Sequence, residues 1–251
     1  MTRPLGIALR SLAVLALATL VNFAPMATLG MPGMKEYSFH GIRVLAKTAD
    51  QDDAEHLAAR VEKQAGGIAE ALGTADTGGI GIIVYPSRKD LHRKTIGFAG
   101  AFLPDWFIGD NTREWVLITS PANPGPAHDR ESVERAAVHE YVHVLTDRVN
   151  KSLGYWLKEG LALYLAGQEP TVDAVRSYAG IRWDDYSRPS ALQFAEVGGY
   201  TLAYTLVEYI ADRYGWEAVV RLVPSGASME RVLGVGPRGL FDEWKAWLSE
   251  L

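Results

Sequence analysis

The sequence predicts an α+β protein in which a mixed α/β lobe, residues 35–125, precedes a mostly helical lobe, residues 126–251. In the first lobe, short apolar segments of strand length alternate with a long amphipathic segment. In the second lobe, apolar residues recur mainly at helical spacing. The 251 residues, 48% of them hydrophobic, suffice for one core. We therefore expect a single domain over residues 35–251, with one helix lying between the two lobes.

Residues 1–30 differ in composition from the rest of the chain. Arg3 and Arg10 precede an apolar run at 11–21, which small residues and Pro25 follow. This order is typical of a secretory signal peptide. Because no clean Ala-x-Ala cleavage site is present, an uncleaved N-terminal membrane anchor is the alternative. Either implies export to a bacterial periplasm, envelope or extracellular location, and the absence of cysteine suits an exported chain.

In the first lobe, apolar runs indicate the secondary-structure elements, and glycines and prolines mark where the elements end. We expect a strand or hairpin at 37–46, a helix at 52–72, strands at 80–85, 97–103 and 114–119, and a turn at 109–112.

The second lobe begins after a loop rich in proline and glycine at 121–126. Asp129, Glu131 and Glu134 then occupy the first turns of a predicted helix, where the helix dipole favours acidic residues. A second helix should end at Gly167. Further helices are expected at 200–214, 216–223 and 240–248.

The run His139-Glu140-Tyr141-Val142-His143 is the most informative motif of the chain. Two histidines four residues apart lie about 40° from each other around a helix, so both imidazoles can reach one metal ion. Glu140 would project beside that ion, where it could accept a proton from water. Glu159, on the next predicted helix, offers a carboxylate. Two histidines, one carboxylate and an open fourth position predict a catalytic zinc site with one ion per chain.

The alternative is a surface helix with two solvated histidines. The neighbours of the pair argue against it, because Val138, Val142 and Val144 are β-branched and have poor helix propensity. A helix here needs burial to stabilise it, and buried histidines need partners.

The motif His139-Glu140-x-x-His143, followed by Trp156-Leu157-x-Glu159-Gly160-x-Ala162, resembles the gluzincin clan of zinc metallopeptidases. Within that clan it is most similar to the small bacterial peptidase MA-like domains. The resemblance implies a zincin (thermolysin-like) fold, with His139, His143 and Glu159 as zinc ligands and Glu140 as the general base.

The chain departs from the clan's pattern at several positions. Fifteen residues separate His143 from Glu159, so the link between the two helices must be short. Leu163 stands where thermolysin-like enzymes place an acid that orients a histidine. Asp147 is a candidate replacement, and a plain solvated acid is the alternative reading of that residue. The glutamate signature with which aminopeptidases hold a substrate's free amine is missing.

The expected reaction is hydrolysis of a peptide bond in a peptide or protein substrate. Glu140 would activate water that zinc acidifies, and Tyr200 is preferred over Tyr204 as a donor to the oxyanion, although a core tyrosine would show the same pattern. For substrate binding we expect Ala99, Gly100 and Ala101, on the predicted strand at 97–103, to pair with an extended peptide. The alternative is a glycine bulge in an ordinary edge strand.

Two other function classes are compatible with the motif. One is an envelope binding or assembly module with a vestigial zinc site, and the other is a zinc amidohydrolase that acts on cell-wall peptides. Nucleic acid is excluded as a partner, because the net charge of −5 offers no basic surface. The oligomeric state is not predicted.

Overall fold

The computed structural model describes residues 3–102, 105–187 and 189–251. The last residue of the strand predicted at 97–103 and the first two residues of the predicted leader lie outside this part of the chain. The described residues form a mixed α/β structure with a five-stranded sheet and a predominantly helical second half.

Within these ranges the chain forms twelve α-helices. They are α1 (Arg3–Phe23), α2 (Gln51–Ala71), α3 (Arg88–Thr95), α4 (Arg130–Asn150), α5 (Tyr155–Leu165), α6 (Val172–Tyr178), α7 (Trp183–Ser187), α8 (Ala191–Glu196), α9 (Gly199–Tyr214), α10 (Trp216–Leu222), α11 (Met229–Leu233) and α12 (Pro237–Leu248).

Five strands form one mixed sheet, in the order β1-β2-β3-β5-β4. They are β1 (Met34–Phe39), β2 (Ile42–Lys47), β3 (Gly81–Tyr85), β4 (Gly109–Asn111) and β5 (Trp115–Thr119). β2, β3 and β5 run parallel, whereas β1 and β4 are antiparallel to their neighbours. The hairpin predicted at 37–46 and the strands predicted at 80–85 and 114–119 are thereby confirmed.

Two predictions in the first lobe are wrong. Gly97–Phe102 forms a 3₁₀ turn instead of a strand. Gly100 lies so close to α3 that a Cβ would come within 2.6 Å of the carbonyl oxygen of His92. Its small size therefore permits packing against a helix rather than exposure at a sheet edge. The segment predicted as a turn contains the edge strand, because Gly109–Asn111 pairs with β5.

Strand β3 is buried on both faces of the sheet. Ile82 and Val84 belong to the apolar cluster formed with α2 and α4, while Ile83 and Tyr85 pack with Leu91 of α3 in a second cluster. Successive side chains of a strand point to opposite faces, so a strand covered on both sides has a continuous apolar run. That property made β3 recognisable in the sequence.

Helix α5 packs unusually close to α9. A Cβ on Gly160 would lie 2.3 Å from the carbonyl oxygen of Ala203, so only glycine permits this approach. Further along α9, Thr205 accepts a hydrogen bond from the indole of Trp244 at 3.2 Å, which ties α12 to the same group of helices. The larger apolar cluster runs without interruption from β2 to α12. The sheet and the helices therefore share one core, and α4 lies between them.

Helix α1 lies on the surface, with Leu12, Leu15 and Leu20 each more than 60% exposed. Its last turn contacts the rest of the protein through Asn22, whose Oδ1 accepts a hydrogen bond from the backbone of Ala99 at 2.8 Å. Among the described residues, no helix has the length and apolar character that a bilayer span requires. The leader and its export stay predictions.

The start of α4 is held by a buried carboxylate on α2. Asp53 accepts hydrogen bonds from Ser120 Oγ at 3.2 Å, from the backbone of Ala122 at 3.0 Å and from Arg130 Nη1 at 2.6 Å. These contacts join α2, the loop that follows β5 and the first residue of α4. Asp53 thus fixes the direction in which α4 enters the core.

Replacing Asp53 with alanine should lower the free energy of unfolding by about 1–3 kcal/mol, because the buried hydroxyl of Ser120 loses its acceptor and Arg130 loses its ion pair. Asp52→Ala, at an exposed position beside it, is the matched control and should cost less than about 1 kcal/mol. Urea denaturation followed by circular dichroism measures both. Equal losses in the two variants would contradict this role of Asp53.

Candidate metal centre

Helix α4 carries three polar side chains into the core. His139, Glu140 and His143 are each no more than 9% exposed, and they lie in the middle of a helix that Asp129 caps through a hydrogen bond from the backbone of Ser132. The spacing of four residues places the two imidazoles side by side, with ring centroids 4.6 Å apart and planes at 83°. The arrangement that the sequence predicted for the two histidines is present.

Helix α5 brings a carboxylate to the same point. Oε2 of Glu159 lies 3.6 Å from Nε2 of His139 and 3.5 Å from Nε2 of His143. Glu159 is itself buried, and it reaches this position because the neighbouring Gly160 lets α5 pack closely on α9. One potential ligand atom from each of the three side chains lies within 4.8 Å of the other two.

The spacing of these three atoms fits a shared metal ion. At 3.5 and 3.6 Å the two N···O separations exceed the usual hydrogen-bond length. Ligands about 2.0–2.1 Å from a tetrahedral ion lie roughly 3.3–3.4 Å from one another, close to the observed values. His139, His143 and Glu159 are therefore close enough to bind a metal ion between two helices.

Glu140 lies beside this cluster, against the sheet. A Cβ on Gly109 of β4 would come within 2.9 Å of Cγ and Oε1 of Glu140, so the edge strand passes directly over the carboxyl group. Any larger residue at 109 would displace either the strand or Glu140. The segment predicted as a turn at 109–112 therefore forms one wall of the site.

Burial dominates the ionisation of the site. It raises the pKa of Glu140 to about 8, and the charges of Asp110 and Glu159 act in the same direction. Burial alone would also raise the pKa of Glu159, but attraction to His143 and His139 outweighs it and holds that pKa well below its usual range. Glu159 is therefore ionised at neutral pH, whereas Glu140 is largely protonated in the metal-free protein.

The two histidines differ in the direction of their shifts. Burial alone would lower the pKa of His139, but its interaction with Glu159 outweighs this and raises it. Burial lowers the pKa of His143. Of the two imidazoles, His139 is thus the one whose protonated form is favoured by the charge of Glu159.

The cluster opens into a cavity of about 810 Å³, which both lobes line. Tyr200 lines this cavity, and its hydroxyl interacts with that of Tyr155, whereas Tyr204 packs against Tyr164 at 5.2 Å and is not part of the lining. Trp106, about half exposed, packs against Tyr200 with the ring centroids 5.4 Å apart and the ring planes at 58°. Of the two tyrosines, Tyr200 is the one at the cavity, and its role as an oxyanion donor stays a prediction.

Other predicted residues lie elsewhere. Ala99, Gly100 and Ala101 belong to the 3₁₀ turn and are not among the described residues that line the cavity, so the strand on which their substrate role depended does not exist. Asp147 accepts hydrogen bonds from Lys158 Nζ at 2.5 Å and Asn111 Nδ2 at 3.3 Å. It is neither a partner of a histidine nor a solvated acid, but joins α4, α5 and β4.

Sequence reasoning missed two residues of the site. Gln168 accepts a hydrogen bond from Nδ1 of His139, with the two atoms 2.8 Å apart. Tyr155, one turn before Glu159 on α5, faces the same cavity. The turn spacing from Glu159 could have indicated Tyr155, but only the fold brings Gln168 to His139.

No known family model matches the chain, and neither any curated protein nor any solved structure matches it significantly. The fold and the site define a mixed α/β protein with a buried His-His-Glu cluster that can hold a metal ion. The function must therefore be inferred from the side chains of this site.

The purified protein should contain about one metal ion per chain, and Glu159→Ala should remove most of it, because two neutral imidazoles alone hold a divalent ion weakly. Glu169→Ala is the matched control, since Glu169 lines the cavity but does not belong to the cluster. Elemental analysis after dialysis measures the content. Equal metal content in all three proteins would place the ion elsewhere.

Metal affinity should fall as the pH is lowered, because the proton on His139 competes with the ion. The pKa of His139 is raised, so the loss should begin at a higher pH than for an ordinary histidine, whose pKa is about 6.5. Glu140 should also release a proton on binding, so the measurement uses Glu140→Gln, where the affinity should change about tenfold per pH unit below the pKa of His139 and level off above it. Competition with a chromogenic chelator across pH 5–8 reports the slope, and a pH-independent affinity would contradict the assignment.

Proposed function

We propose that the protein is a zinc-dependent metallopeptidase of the gluzincin type, related to the peptidase MA-like domains, with the zincin arrangement of a sheet lobe and a helical lobe around α4. The observation that carries this proposal is the position of Glu140. Its carboxyl group is buried next to the three candidate ligands and lines a cavity that is open to solvent. A general base must lie at such a position to act on water held at the fourth ligand position.

The donor set supports zinc as the ion. Two imidazoles and one carboxylate, with no cysteine in the chain, are a frequent ligand set of catalytic zinc. When bound, zinc supplies an acidified water and a positive charge for the carbonyl oxygen of the substrate. The same charge would lower the pKa of Glu140, which burial raises in the metal-free protein. Glu140 would then be ionised, as a base must be.

Glu140 takes the proton from water as the oxygen attacks the peptide carbonyl, and then delivers that proton to the leaving amine. Tyr200 is placed to donate its hydroxyl proton in a hydrogen bond to the oxyanion. Burial, and then the charge of Glu159, raise the pKa of Tyr200, so it stays protonated and able to donate. Tyr155, which contacts its hydroxyl, holds it at the cavity wall.

The substrate is a peptide in extended conformation, bound along β4. Among the described residues this strand is the last in the sheet and pairs with β5 alone, and its Gly109, Asp110 and Asn111 line the cavity. An extended chain can add alongside such an edge through backbone hydrogen bonds. β4 thereby takes the role that the sequence suggested for Ala99, Gly100 and Ala101. With the leader, this implies an exported peptidase that meets its substrates outside the cytoplasm.

Replacing Glu140 with glutamine should leave the zinc content unchanged and lower peptide hydrolysis by at least about 100-fold, because the amide cannot accept the proton. Glu134→Gln is the matched control: the same change on the same helix, outside the described cavity lining. Turnover is measured on casein and on a fluorogenic peptide library with the zinc-loaded protein.

Near wild-type turnover in the Glu140→Gln variant would refute the base assignment. Hydrolysis of purified peptidoglycan without cleavage of casein would favour a zinc amidohydrolase on cell-wall peptides. A protein that binds zinc but cleaves neither would favour an envelope binding module.

A further inference from the structure

The two candidate imidazole ligands differ in the surroundings of their second ring nitrogen. Nδ1 of His139 lies 2.8 Å from Oε1 of Gln168. Nδ1 of His143 is buried and has no hydrogen-bond partner in the part of the chain that the structure describes. Gln168 is therefore the one described residue that orients a candidate ligand imidazole through its outer nitrogen.

The end of helix α5 fixes the position of Gln168. Gly167 adopts a φ of 66°, in the left-handed region, and its N–H donates to the carbonyl of Tyr164 at 3.1 Å. The N–H of Gln168 donates to the carbonyl of Leu163 at 2.9 Å. These two bonds form a Schellman motif, which ends the helix in one defined geometry. Helix α5 thus fixes both Glu159 and Gln168 relative to His139.

The amide of Gln168 is oriented with its oxygen towards Nδ1 of His139, which corresponds to the tautomer that carries its proton on Nδ1. The carbonyl oxygen of the amide can only accept, so Nδ1 must donate. In the neutral imidazole, Nε2 is then unprotonated, and its lone pair is directed to the side where Glu159 lies. Metal binding requires this tautomer.

We propose that Gln168 is the positioning residue of the metal centre. It holds His139 in the metal-binding tautomer, and its neutral amide keeps the bound ion less tightly held than a carboxylate would. This role rests on the metal centre of the proposed function, and it concerns how strongly that centre binds its ion. In the described part of the chain, neither position considered for an acid competes with Gln168, because Leu163 is apolar and Asp147 is paired with Lys158.

The difference between an amide and a carboxylate has a direct chemical consequence. A carboxylate on Nδ1–H makes the imidazole more basic and strengthens its bond to a metal ion. An amide has no net charge, so His139 donates less electron density and the ion retains more of its positive charge. We therefore expect the centre to bind its ion with lower affinity and the bound ion to be more electrophilic than it would be with a carboxylate at this position.

Two variants test this proposal by zinc affinity, which is independent of hydrolysis. Gln168→Met keeps the length of the side chain but removes the acceptor, and the zinc dissociation constant should rise about 10–100-fold. Gln168→Glu combined with Glu169→Gln moves a carboxylate onto His139 at constant net charge, and the dissociation constant should fall about tenfold. Glu169→Gln alone is the control.

The affinities are measured on the full chain by competition with a chromogenic chelator, and the melting temperature of each metal-free protein is recorded. Gln168→Met leaves the buried Nδ1 of His139 without an acceptor, so its metal-free melting temperature should fall modestly. The affinities are therefore measured well below the melting temperature of every variant, where all of them are folded. Wild-type affinity in Gln168→Met would overturn the positioning role. Weaker binding in Gln168→Met, without tighter binding in the double variant, would overturn the effect of the neutral amide.

The outcomes also separate this proposal from the proposed function. A wild-type protein that binds zinc but cleaves no peptide refutes the peptidase while leaving the role of Gln168 measurable. A wild-type protein that binds no zinc refutes both.

Discussion

The convergence of two imidazoles and one carboxylate between α4 and α5 is the constraint on which the rest of the structure depends. Burying these groups is costly unless each has a partner, and the two helices must keep them within a few ångströms. Three features meet this requirement. Gly160 lets α5 approach α9, Asp147 joins Lys158 and Asn111 across three elements, and Asp53 fixes the start of α4. The hydrogen bonds of Asp147 and Asp53 thus help to fix the positions of α4 and α5.

The parts that the sequence predicted correctly are those set by local spacing. His139 and His143 share a helix face because four residues make just over one turn, and β3 is recognisable because burial on both faces leaves a continuous apolar run. The wrong predictions concern segments whose conformation depends on distant residues. Gly100 packs on His92 and the backbone of Ala99 bonds to Asn22, neither of which local propensity can reveal.

The same distinction between local spacing and long-range packing applies to the residues that surround the candidate ligands. Asp147 is one turn from His143, so spacing suggested it as a partner, but Lys158 from the next helix reaches it instead. Gln168 lies 29 residues from His139 and meets it because Gly167 turns the chain back at the end of α5. The sequence does signal a helix end at Gly167. It does not signal where the following side chain will point, since that depends on how α5 packs against α4.

The charges of the site support the proposal of an active centre over the alternative of a retained metal site. Glu140 and Glu159 are two buried carboxyl groups near one another, and without a cation burial raises the pKa of Glu140 to about 8. A protein that only bound the metal would be better served by a neutral residue at this position, because a buried acid without a charged partner is unfavourable. A glutamate at position 140 is favourable if a bound cation keeps the carboxyl group ionised and the carboxylate acts as a base during the reaction. Gly109 supports this proposal, because the edge strand has a glycine at the position where any side chain would displace Glu140.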